Sequence, residues 1–174
     1  MTAVGHPVSS VNHTVRRLAV PLGRPYEESV TAFERTIPEL DVTPFRGLSE
    51  WDDVVNLVDK LAPLGFFRFH KIDVPPFMVQ SGSRFACVEY LMGNHVIAER
   101  MYRHDPTVML YAPLRLLIQA DESGDGVLVL DQPGTLLSSF GDERIASVGR
   151  ELDAKVAGVI SALGAQPPAE LLPH

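Results

Sequence analysis

Along this chain, stretches with apolar residues three and four apart alternate with stretches where every second residue is apolar, and the two periods mark helices and strands in turn. The longest helical stripe comes last: Ile145, Val148, Leu152, Val156, Val159 and Leu163 predict a helix that begins near Asp142 and lies across a sheet. Tyr26, Val30, Phe33 and Ile37 predict an earlier helix, with Pro25 near its first turn and Pro38 at its end. Trp51, Val54, Val55, Val58 and Leu61 predict another, starting near Ser49, where Ser-Glu-Trp-Asp offers a cap, and stopping at Pro63 and Gly65.

Strand patterns cover Thr14 to Leu22, Phe66 to Val74, Arg84 to Met92, Thr107 to Ala120 and Val127 to Leu130, and Gly124-Asp125-Gly126 joins the last two as a hairpin. A short helix from His95, capped by Asn94 and ended at Asp105-Pro106, separates the third strand from the fourth. This order predicts an α+β fold, a mainly antiparallel sheet with helices packed on one face. The first strand runs into Pro21-Leu22-Gly23-Arg24-Pro25 rather than a glycine-rich phosphate loop, so neither a doubly wound fold nor a nucleotide cofactor is expected.

With 174 residues the chain fits one domain. Residues 13–164 form it, between a flexible N-terminus at 1–12 and a flexible tail at 165–174 that is rich in proline. Hydrophobic residues make up 45% and charged residues 21%, which excludes extensive disorder, and the net charge of −7 argues against nucleic acid as a partner. No apolar run is long enough to cross a membrane. The lone Cys87 excludes a disulfide framework and every multi-cysteine zinc pattern, and a reducing, cytoplasmic setting is expected.

Candidate chemistry concentrates between Tyr90 and Ile118. One helical row holds His95, Glu99 and Arg103, and another Arg100 and His104, an arrangement that is as readily a solvated face as a site. His95 falls in a first helical turn, beside free backbone N–H groups and with an imidazole able to move protons near neutral pH. Glu89 and Arg115 each interrupt an apolar strand and need a partner or a cleft. The leading expectation is acid–base catalysis of the lyase or isomerase type on an apolar substrate with a carbonyl or carboxylate group. His95, Glu99 and Glu89 are its catalytic candidates, and Arg115, Asn94, His104 and Tyr90 its substrate-binding candidates. His95 and Arg115 are expected to open onto one pocket. The alternative is a non-catalytic binding or sensor domain for a hydrophobic ligand or haem. No metal motif is present and no cofactor is predicted, although haem or a divalent metal held through His95, His104 or His70 stays open.

Several segments resemble the bacterial and archaeal family known as domain of unknown function 302. They are PYEESV, GFFRFHKID, YLMGNHVIAERMYRHDP, YAPLRLLI before an acidic glycine-rich turn, VLVLDQPGTLL and LDAKV, in this order over about 150 residues. The resemblance implies a compact α+β domain with a curved sheet, in outline like the TATA-binding-protein fold, often dimeric and without an assigned reaction. A dimer also follows from strands with more apolar faces than one helical layer covers. Many relatives look cysteine-bearing where this chain has Gly93-Asn94-His95 and Pro113-Leu114-Arg115. A thiol-based role is therefore not implied, and the helix around Trp51 is longer than a minimal member needs.

Overall fold

The computed structural model describes residues 8–173. Strands β1 (Arg17–Pro25), β2 (Phe67–Asp73), β3 (Cys87–Gly93), β4 (Leu114–Ala120) and β5 (Asp125–Asp131) form one curved, unclosed sheet in the order β1-β5-β4-β3-β2, with every neighbour antiparallel. The helices are α1 (Tyr26–Thr36), α2 (Trp51–Leu61), α3 (Pro75–Met78), α4 (His95–Tyr102), α5 (Pro133–Leu137) and α6 (Glu143–Ala162). The α+β class is as expected.

Period-two alternation decides which side of the sheet is covered. Leu18 and Val20 on β1, Val88, Tyr90 and Met92 on β3, Leu114, Leu116 and Ile118 on β4, and Leu128 and Leu130 on β5 are all buried, while the residues between them are half-buried or exposed. The whole α6 stripe, Ile145 to Leu163, is buried in the same core, as are Phe33 and Ile37 from the first helical segment. A second, smaller core gathers Val58 and Ala62 of the α2 segment around Phe67, with Phe45 and Val96 against it. The long helix around Trp51 therefore supplies extra core.

Several boundaries differ from the sequence pattern: β3 begins at Cys87 rather than Arg84 and β5 at Asp125 rather than Val127, and four further differences have a local reason. β1 starts at Arg17 because its partner β5 ends opposite, at Asp131, and Thr14 to Arg16 have no strand to pair with. Glu50 caps α2 without a side-chain bond, while the Ser49 hydroxyl donates to the Glu50 carboxylate at 3.5 Å, so the proposed capping box does not form. Thr107 to Ala120 is not one long strand. The Asp105 carboxylate accepts from the Thr107 N–H at 2.8 Å, Pro106 opens a 3-10 turn over Pro106–Leu110, and the ladder begins only after Pro113. Within residues 165–173, Leu171 is buried and the Glu170 carbonyl accepts from the Gln132 amide at 2.9 Å, while residues 166, 169, 170, 172 and 173 are exposed. At the other end, residues 8–16 are exposed without helix or strand, and the rest of the expected flexible N-terminus, 1–7, lies outside the described residues.

Two predicted features position the site. The Asn94 carboxamide oxygen accepts from the N–H groups of Val96 at 2.9 Å and Ile97 at 3.2 Å, and its amide donates to the Gly65 carbonyl at 3.0 Å. That fixes the first turn of α4 against the turn that precedes β2. The Asp142 carboxylate likewise caps α6 through the Arg144 N–H at 2.8 Å. The β4–β5 hairpin closes through Asp121, whose carboxylate accepts from Ser123 and Asp125, with Gly124 at φ +88.

Candidate functional site

Where α4 leaves β3, an apolar cavity of about 100 Å³ opens between α4, α6, the turn after α4 and the start of β4. Ile97, Ala98 and Met101 supply the α4 wall, Leu152 the α6 wall, and Met109, Tyr111 and Pro113 the opposite side. Ile97, Met101 and Leu152 are buried, whereas Phe69 and Met109 are 37% and 47% exposed and mark the way out to solvent. Gly93 makes this possible. A Cβ there would lie 3.0 Å from Pro113 Cβ and 3.1 Å from Phe69 Cε2, so any side chain would push the wall apart.

His95 is the one titratable group of the acid–base list that lines this cavity. Its ring meets Phe45 edge-on, centroids 5.2 Å apart, and Phe45 in turn packs edge-on to Phe67, so the α2 core backs the imidazole. Burial pushes the His95 imidazole below its ordinary value, which favours the neutral ring at physiological pH. Asn94 also lines the cavity, but its carboxamide is committed to the helix cap and to Gly65.

The remaining candidates lie elsewhere. Arg115 emerges from the side of β4 opposite Leu114 and Leu116, is exposed, and pairs with Glu89 at 3.4 Å. The expectation that His95 and Arg115 share a pocket is thus corrected: alternation along β4 sends Arg115 to the uncovered side of the sheet. Glu99 forms a two-point i,i+4 pair with Arg103, the solvated helix pair that the spacing allowed. His104 is exposed beyond the end of α4, and His70 is exposed on β2. Among the described residues no three His, Cys, Asp or Glu side chains come together in a way that could hold a metal ion.

Tyr90 is fully buried in the main core rather than open to a substrate. Its hydroxyl donates to the Glu34 carboxylate at 2.7 Å, which Lys71 Nζ meets from the other side at 3.0 Å. Burial and the bond to Glu34 drive the phenol far above its ordinary value. Cys87 is half-buried, and burial, with Glu89 nearby, raises its thiol, the setting of an unreactive cysteine.

Sequence reasoning missed Phe69, Ala98, Met109, Tyr111 and Pro113. The available signal was Ala98 beside Ile97 and Met101 on the apolar side of α4: a small residue where a helix faces a core leaves room.

An α+β domain with a five-stranded antiparallel sheet and a cavity at one end of its helical layer is thus the class of protein. A model of the family described as Domain of unknown function DUF302 matches residues 49–163, and the chain belongs to that family. A solved structure described as that of an uncharacterized conserved protein DUF302 from Bacillus stearothermophilus shares the fold, with a TM-score of 0.62 and 12% identity over 84% of this chain and 97% of that one. No curated protein matches the chain.

Proposed function

We propose that this chain is a binding domain for a small, mainly apolar molecule held in the cavity beside His95. The observation that carries this reading is a cavity lined almost wholly by carbon, with the His95 imidazole at its edge and no carboxylate among its lining residues. Acid–base catalysis would need a second proton-handling group beside His95; Glu99 and Glu89 are engaged with Arg103 and Arg115, and the hydroxyl of Tyr111, on the opposite wall, is hydrogen-bonded to His13 at 3.0 Å. The volume of about 100 Å³ is smaller than the roughly 150 Å³ cavity that holds benzene. The ligand is therefore a molecule of a few heavy atoms, or the end of a longer one that leaves past Phe69 and Met109. His95 gives such a ligand one hydrogen-bonding point, suited to a carbonyl or hydroxyl at its rim. A single cysteine, with no second one in the chain to form a disulfide, favours a cytoplasmic setting. No helix among the described residues is long and apolar enough to cross a membrane.

The test is methyl NMR of the full chain titrated with isobutene and with acetone, two four-heavy-atom probes of one shape, the second with a carbonyl. Shifts confined to the methyls of Ala98, Ile97, Met101 and Met109 support the reading. Unchanged spectra at millimolar concentrations of both, or shifts elsewhere only, reject it.

A further inference from the structure

The segment that leads into β1 touches the cavity wall from outside. Arg16, the residue before that strand, is held at three points: its carbonyl accepts from the Gln132 N–H at 2.8 Å, its N–H donates to Thr135 Oγ1 at 3.2 Å, and its guanidinium donates to Gln132 Oε1 at 3.1 Å. Gln132 is buried and its amide donates to Asp153 at 2.7 Å, so the anchor is firm. Three residues earlier the exposed His13 meets Tyr111: the Tyr111 hydroxyl and His13 Nε2 are hydrogen-bonded at 3.0 Å, and the rings stand edge-on with centroids 5.9 Å apart. Tyr111 lines the cavity, and Phe140 packs edge-on to it at 6.0 Å. Its N–H donates to the Val108 carbonyl at 2.9 Å and closes the Pro106–Leu110 turn, which carries Met109 at the way out to solvent.

We propose that residues 13–16 are a strap that regulates access to the cavity, fastening Tyr111 and through it the turn that carries Met109. The inference rests on the reading of the cavity as a binding site. The walls differ in how they can move. Ile97, Met101 and Leu152 are buried, so the α4 and α6 sides give way with the core, whereas Tyr111 is half-buried and Met109 and Leu110 are exposed. A segment with little buried apolar contact opens locally at a free energy far below that of unfolding, and each bond that ties it down makes the opening rarer. The His13–Tyr111 contact is such a bond. It is tied back through Arg16 to Gln132, which does not line the cavity, so His13 holds Tyr111 from a fixed point rather than moving with it. Because His13 lies outside the cavity, it sets how often the wall opens rather than how well a bound ligand fits, and its loss speeds entry and exit by the same factor.

The experiment compares the full chain with His13→Ala and Arg16→Ala, neither of which alters the cavity lining. NMR reads amide hydrogen exchange at Tyr111, and line shapes in titrations with isobutene and acetone read the rates of entry and exit. Tyr111 exchange should quicken about two- to tenfold in His13→Ala, the range that one hydrogen bond of ordinary strength allows, and less in Arg16→Ala. Val96 and Ile97, capped by Asn94, should not change. Both ligand rates should rise by that factor at an unchanged Kd. Unaltered Tyr111 exchange in both variants overturns the proposal, as do ligand rates that stay at the wild-type values. If neither probe binds the wild type, the cavity reading fails on its own, and Tyr111 exchange alone still decides the strap.

Discussion

Filling the cavity from its α4 wall separates a binding site from an ordinary packing gap. Ala98→Leu adds three carbons to a half-buried position that lines the cavity. A volume of about 100 Å³ is several times the 10–15 Å³ that one water needs on the same measure, so the new side chain has room. Full burial of three carbons at ~0.8 kcal/mol each sets a ceiling of roughly 2.4 kcal/mol. Incomplete burial at position 98 and the adjustment of Met101 and Met109 take part of that back, leaving a net gain of about 1 kcal/mol. In a chain of this length that raises Tm by roughly 2–4 °C, read by calorimetry. The same variant should lose binding of isobutene and acetone. In the wild type a ligand at 100 times its Kd adds ~2.7 kcal/mol to stability; in the variant that increment vanishes. A lower Tm together with undiminished binding would refute the reasoning, because it would mean that position 98 is already packed and the ligand sits elsewhere.

Asn94→Ala removes the α4 cap and the bond to Gly65, and should cost about 1–2 kcal/mol in chemical denaturation while accelerating amide exchange at Val96 and Ile97. Tyr90→Phe keeps the buried ring but leaves Glu34 without its phenol donor; the expected cost of about 1–2 kcal/mol lowers Tm by roughly 2–8 °C without changing ligand binding. The depressed His95 imidazole makes the unfolded chain take up a proton first. Its contribution to stability is therefore complete above the ordinary histidine value near 6.5 and is lost as pH falls through the unfolded and then the folded value. Denaturation at pH 7.5 and pH 5 should show a smaller loss on acidification for His95→Phe than for the wild type, and equal losses would contradict a desolvated imidazole.

The fold was legible wherever one residue type carried one structural duty. The α6 stripe and the Asn94 and Asp142 caps are local signals and formed as read; the hairpin after Ala120 also formed, but its turn runs from Asp121 to Gly124, and Asp125 and Gly126 already belong to β5. Misreadings arose where a second local interaction competed. Thr107 to Leu110 is apolar enough for a strand, yet Asp105 and Pro106 draw it into a turn that becomes a cavity wall. The C-terminal prolines suggested a loose tail, but Leu171 had a place in the core and Gln132 a hydrogen bond to offer. Neither partner is visible from the tail's own sequence.

The candidate site was half legible for a related reason. A charged residue within an apolar strand announces itself, and Glu89 and Arg115 do meet, but on the uncovered face. A cavity announces itself only by what is missing: the Cβ of Gly93, the longer side chain that Ala98 lacks, the strand that the 106–110 turn does not form. His95 bridges the two kinds of signal, since its helix position was readable from Asn94 and its surroundings were not. The same alternation along β4 that turns Leu114 toward the cavity turns Arg115 away from it, so the apolar cavity and the charged pair belong to opposite sides of one sheet. Chemistry that needed both at once would have to cross the sheet. Binding at the cavity needs only one side.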